Sequence, residues 1–202
     1  MYLPSHFAEP RVDELHRIIR ENPLGALVTH GPQGLDANHL PFELDAERGV
    51  LLAHAARGNP IANGDVLVIF RGVQGYVSPS WYPSKHETHQ QVPTWNYEVV
   101  HVHGTLRLVD DAKFLRGVLA KLTKTHEATQ AAPWKMSDAP PEFTAELLEE
   151  LVGVEIEITR LEGKRKLSQN REPRDAQGVI DALKERGQHA HADAITGTRS
   201  SR

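Results

Sequence analysis

No cysteine occurs anywhere in the 202 residues, which excludes disulfides, a thiol nucleophile, iron–sulfur ligation and cysteine-based zinc sites. No apolar run approaches the ~20 residues that span a bilayer. The opening MYLPSHFAEPRVDELHR lacks the basic-then-apolar order of a signal peptide, so a cytoplasmic protein is expected. An excess of cations is missing too: 23 Lys and Arg stand against 27 Asp and Glu, a net charge of −4. That balance argues against coating nucleic acid by bulk electrostatics, though it leaves room for a local basic patch. The common nucleotide and hydrolase fingerprints are absent as well. No G-x-G-x-x-G opens a helix after a strand, no GK[ST] loop is present, and G-x-S-x-G does not occur. No helix-turn-helix stands out.

What is present is a series of short periodic segments. Val12, Leu15, Ile18 and Ile19 recur at helical spacing after Pro10 and stop at Asn22-Pro23. The period then falls to that of strands in LGALVTH (24–30), LDANHLPFEL (35–44), VLLAHA (50–55), VLVIF (66–70) and GYVS (75–78). GPQG and DAERG supply hairpin turns between the first three. TWNYEVVHVHGTLRLV (94–109) reads as a long strand with a bulge at Gly104. A helix follows, with Asp110 as its expected N-cap and Leu115, Val118, Leu119 and Leu122 on its apolar face. Beyond a Pro-rich link, FTAELLEEL predicts another helix, and GVEIEITRLEG (153–163) returns to strict alternation. A last helix is expected over Asp175 to Arg186, with a polar, disordered tail at 187–202. Many short antiparallel strands with helices inserted late define a mainly β architecture, a barrel flanked by helices.

Four constellations could carry chemistry. His101 and His103 share one strand face, and His86 and His89 flank Glu87, but three or four converging ligands cannot be read from spacing. HAARGNP (54–60) sets Arg57 and Asn59 among small residues, suited to a phosphate or to plain solvation. GKRKLSQNR (163–171) brings four cations to Ser168, Gln169 and Asn170, fit for a phosphate, a polar heterocycle edge or solvent. Pro41 inside NHLPFEL (38–44) marks an edge or a bulge. The segment SPSWYPSKHETHQQVPTWNY (78–97) adds two of the three tryptophans and two of the four tyrosines. Together these features suit a flat aromatic ligand carrying a phosphate, and FMN fits that description.

YVSPSWY (76–82), VPTWNYEVVHVHG (92–104), VGVEIEITRLEGKRKLSQNR (152–171) and the opening MYLPSHF resemble the PaiB family of FMN-binding negative transcriptional regulators, over nearly the whole chain to about Leu183. The resemblance implies an antiparallel FMN-binding split β-barrel in a single domain over 1–186, related to pyridoxamine-phosphate oxidases. It implies a homodimer with flavin at the subunit interface, and DNA or another regulatory protein as a further partner. Carried over by motif, His39, Leu40 and Pro41 would lie beside the flavin ring, with Arg57 and Asn59 at its phosphate. Trp95, Asn96 and Tyr97 would approach the ring, and Lys166, Ser168, Gln169, Asn170 and Arg171 would close the pocket. Trp134 and Lys135 would reach the flavin of the second subunit. The segment IANGD (61–65) is shorter than its counterpart in the family. No residue is assigned as a catalytic acid, base or metal ligand. An FMN-dependent oxidoreductase and a haem-binding or haem-degrading split barrel are the competing functions.

Overall fold

The computed structural model describes residues 1–200. Alternation of apolar and polar residues builds eight strands: β1 (Ala8–Glu9), β2 (Leu24–Gly31), β3 (Gly34–Pro41), β4 (Glu43–Asp45), β5 (Val50–Ala56), β6 (Gly64–Val77), β7 (Thr94–Val109) and β8 (Leu151–Lys166). The helices are α1 (Val12–Glu21), α2 (Pro83–Thr88), α3 (Ala112–Glu127), α4 (Pro141–Glu149), α5 (Pro173–Glu185) and α6 (His189–Ser200). The strands join one sheet in the order β3-β2-β6-β7-β8-β5-β4, with β1 on β8. Every pairing with a described register is antiparallel. Among the described residues no helix is long and apolar enough to cross a membrane.

The two expected hairpins form. Gly31 pairs with Gly34 across Pro32-Gln33, and Asp45 pairs with Val50 with Gly49 at φ 65°. β3 lies at the end of the strand order, which accounts for the proline at its last position. Two expected strands, 66–70 and 75–78, are instead halves of β6, because Arg71–Gln74 continues the extended backbone. β7 also runs unbroken through Gly104. A Cβ there would lie 2.3 Å from the Glu157 carbonyl oxygen, so close backbone approach rather than a bulge selects glycine.

The chain forms two compact units, and β6, β7 and β8 run from one into the other. One unit comprises Met1–Ile18, Arg71–Val100 and the residues from Glu162 on; the other comprises Ile19–Phe70 and His101–Leu161. In the first, Val77, Tyr82, Leu167, Val179, Leu183, Ala192 and Ile195 form a buried cluster, with Trp81 packed against it. In the second, α3 lays Val118 and Leu122 on Val50 and Leu52 of β5. The cap of α3 is Asp111, whose carboxylate accepts from the Phe114 amide at 2.6 Å; Asp110, the cap expected from sequence, pairs with Arg57 instead.

The tail expected to be disordered is α6. Ala192 and Ile195 are fully buried, although the helix offers few large apolar residues. Tertiary packing overrides a weak local signal here. Residues 201 and 202 of that tail lie outside the described residues.

Candidate functional site

In the first unit, the start of β7 meets the segment that follows β8. Strand alternation divides β7: Trp95 and Tyr97 project to one side, Thr94 and Asn96 to the other. Trp95 is 57% exposed and meets the Tyr76 ring edge-on at 6.2 Å. With Arg71 and Gln74 of β6, Trp95 and Tyr97 line an open groove of about 310 Å³. An exposed indole in a groove, with a guanidinium and a carboxamide beside it, offers a planar apolar surface with polar edges. Arg71 makes no ion pair among the described residues.

The other side carries a polar recess of only about 40 Å³, lined by Thr94, Asn96, Lys166, Ser168, Asn170 and Arg171. Asn96 is buried and donates to Ser168 Oγ at 3.1 Å. Ser168 takes a left-handed backbone at φ 62°, which turns the chain away from β8 toward α5. Gln169 stabilises that turn, accepting from the Leu167 amide at 2.7 Å and donating to the Arg165 carbonyl. Lys166 donates to Thr94 Oγ1 and to the Trp95 carbonyl, binding the segment to the first residues of β7. Burial, with the charges of Arg171 and Lys164 added, holds the Lys166 ammonium below its ordinary pKa.

Arg171 lies over the Tyr82 ring at 4.8 Å and donates to Gln91 Oε1 at 2.7 Å. Gln91 in turn donates to Ser84 Oγ at 2.7 Å, and Ser84 donates to the buried Asp175 at 2.6 Å. Gln91, at the end of the polar KHETHQQ stretch, therefore holds Arg171 in place. The histidines of that stretch do otherwise: His86 is exposed on α2, and His89 caps that helix at φ 57°.

Eight of the expected site residues thus come together in this unit, with Asn96 on the opposite side of β7 from Trp95 and Tyr97. The others lie in the second unit. His39 is exposed on β3, Leu40 is buried and Pro41 ends the strand. Asn59 donates to Asn38 Oδ1 at 2.8 Å, while its own Oδ1 is buried without a partner, the kind of acceptor a ligand N–H satisfies. Arg57, expected at a phosphate, is engaged by the protein itself. Its guanidinium forms a bidentate pair with Asp110 at 2.9 Å and donates to the carbonyls of Glu149 and Leu151. Four of its N–H groups are consumed by the protein, which raises its already high pKa through the Asp110 hydrogen bonds. Trp134 and Lys135 lie between α3 and α4, and the Trp134 amide donates to Glu127 at 2.9 Å. Arg71, Gln74, Thr94 and Gln91 were not singled out by motif. Arg71 and Gln74 lie three positions apart on β6, opposite in strand parity, so alternation does not mark them as a pair.

A mainly β, antiparallel sheet with flanking helices is the split-barrel architecture. The flavocytochrome Anf3 of Azotobacter vinelandii shares this fold with a TM-score of 0.62 at 12% identity, over 79% of this chain and 69% of that one. The model of the family described as "Putative FMN-binding domain" matches residues 1–160. An uncharacterised protein of Emericella nidulans is 34% identical over 94% of this chain and 93% of its own. Protease synthase and sporulation protein PAI 2 of Bacillus subtilis is 31% identical over 91% and 89%. The chain belongs to this FMN-binding family, the PaiB family its motifs resemble, and FMN is its cofactor. The groove carries groups of the kind such a cofactor needs: an exposed indole, a half-buried phenol, a carboxamide and a guanidinium.

Proposed function

We propose that this protein is an FMN-binding homodimer acting as a negative regulator of transcription, with the flavin ring on the Trp95–Tyr97 side of β7. The observation that carries the flavin placement is the open aromatic groove with Arg71 and Gln74. A bound flavin supplies hydride or electron transfer; the protein's part is to present the planar surface and a cation. The regulatory reading rests on the PaiB resemblance. It agrees with a recess whose Asn96 and Ser168 are hydrogen-bonded to each other, next to a Gln169 whose amide is spent on backbone, rather than left free for acid–base work. With a net charge of −4, direct DNA binding would depend on a local patch and fall steeply with salt.

A second reading, an FMN-dependent oxidoreductase, is favoured by Lys166, a partly buried ammonium with a lowered pKa that ends β8 and donates to Thr94 and Trp95 at the start of β7. The purified protein decides between them. A flavin spectrum, with FMN released on denaturation, is expected for both; a colourless protein that ignores added FMN sinks both. Steady NAD(P)H consumption favours the enzyme, and a salt-sensitive, sequence-selective shift of promoter DNA favours the regulator. Sedimentation velocity tests the homodimer.

A further inference from the structure

The second unit holds a feature whose lining residues are distinct from those of the Trp95–Tyr97 groove. Between α3 and α4 the 133–136 segment closes a groove with two lobes. One, about 450 Å³, is lined by Ala120, Thr123, Lys124, Ala128, Pro133 and Lys135 together with Trp134 and Met136. The other, about 250 Å³, is walled by Leu119, Phe143, Leu147, Leu148 and Leu151. Thr123, Trp134 and Met136 belong to both lobes, so the groove is continuous. Its volume falls in the ~300–1,000 Å³ range of small-molecule sites. Three large apolar side chains stay half exposed along it: Trp134 at 47%, Phe143 at 52% and Leu147 at 50%.

The bridging segment is fixed at both ends. The Trp134 amide donates to Glu127 at the end of α3, and the Lys135 amide donates to Asp138 at 3.0 Å. The groove is therefore bounded by anchored backbone, with the indole as its central wall. Polarity changes along its length. The second lobe has no charged lining residue, whereas Lys124 and Lys135 both line the first, and neither ammonium has an ion-pair partner among the described residues. Glu127 lines that lobe as well and accepts from the Trp134 amide, and with two lysines against one carboxylate the lining stays net cationic.

We propose that this groove binds an elongated amphipathic anion, an unbranched apolar chain ending in a carboxylate. The tail lies in the leucine- and phenylalanine-lined lobe and the head beside Lys124 and Lys135. A charge gradient along an apolar channel selects this class: a neutral apolar ligand leaves the lysines unused, and a compact anion leaves the inner lobe unfilled.

Decanoate and decanol, which share a tail and differ in the head, test it on the full chain by calorimetry with FMN present. The expected result is saturable decanoate binding, one per chain, at least tenfold tighter than decanol, with the flavin spectrum unchanged. Lys124→Gln with Lys135→Gln should bring decanoate down to the affinity of decanol, and Phe143→Gln with Leu147→Gln should weaken both. These positions are exposed, so the variants should keep the wild-type unfolding temperature. Equal affinity for the two ligands, non-saturable uptake, displacement of FMN or indifference to both double variants would overturn the proposal. So would dissociation of a dimer by the Phe143→Gln, Leu147→Gln variant, since a second copy would then be the occupant.

Discussion

Two arginines show how little residue type alone decides. Arg57 sits in a small-residue turn that suits a phosphate, yet Asp110 and two carbonyls hold it, so it ties the end of β5 to the start of α3 and to the α4–β8 junction. Arg71 has no motif around it and faces the aromatic groove. Replacing Arg71 with Ala should weaken FMN roughly tenfold, the scale of one charge-assisted contact, and leave riboflavin affinity unchanged. Fluorescence titration with both flavins checks this, and equal losses for the two would remove Arg71 from the phosphate. Arg57→Ala should instead lower the unfolding temperature with FMN affinity nearly intact. Because Arg57 and Asp110 act as one unit, adding Asp110→Ala to it should cost little more, a non-additivity that a double-mutant cycle measures.

At the scale of elements, the hairpins and the amphipathic helices α1 and α3 were legible because each joins a turn or cap signal to a clean period. Pro41 left an edge or a bulge open for β3, and its place at the end of the strand order makes it an edge. The N-cap of α3 missed by one residue, since adjacent aspartates, Asp110 and Asp111, offer the same chemistry and only Arg57 decides between them. α6 was not legible: its buried residues are His191, Ala192, Ile195 and Thr198, of which only Ile195 is large and apolar, and its partners on α5 come from tertiary packing. The aromatic residues of the site were visible as residues, but β7 parity separates Asn96 from Trp95, and the positioning of Arg171 through Gln91, Ser84 and Asp175 links positions up to 91 apart. α6 also brings a titratable group into the core. Both ring nitrogens of His191 are buried without partners, and the ring sits over Gly75, where a Cβ would be 2.8 Å from Nδ1. Burial lowers the pKa of this imidazole, so the folded chain binds fewer protons here than the unfolded chain does. Its contribution to stability is complete above the ordinary imidazole value of about 6.5 and is lost as pH falls below it. Urea midpoints measured from pH 7.5 to 5 should fall with pH, and His191→Leu should flatten that fall. A parallel decline in the variant would assign the acid sensitivity elsewhere, with His54, half-buried in the second unit and shifted the same way, the next candidate.

At the scale of the whole molecule, the first unit is fastened by charge as well as by apolar packing. Arg165 on β8 donates to Glu98 of β7 at 2.7 Å and pairs with Glu14 of α1 at 2.9 Å, while Glu9 takes a bidentate pair from Arg11. Burial raises the Glu9 pKa, but the Arg11 hydrogen bonds and the charges of Arg11 and Arg165 outweigh it and keep the carboxylate ionised. Removing the central cation strands buried carboxylates, so Arg165→Met should destabilise the fold by about 3–5 kcal/mol, far more than loss of an exposed pair. A chemical denaturation midpoint close to wild type would contradict that. The cofactor acts on the same equilibrium. A ligand that binds only the folded chain stabilises it by mass action, about 2.7 kcal/mol at a hundredfold excess over Kd. FMN should therefore raise the unfolding temperature in a concentration-dependent way, and riboflavin should do so less at equal concentration, because it lacks the phosphate that Arg71 would hold. In Arg71→Ala the two flavins should stabilise equally. If FMN keeps its advantage in that variant, the phosphate is held by another cation, and the Lys166–Arg171 segment is the place to look next.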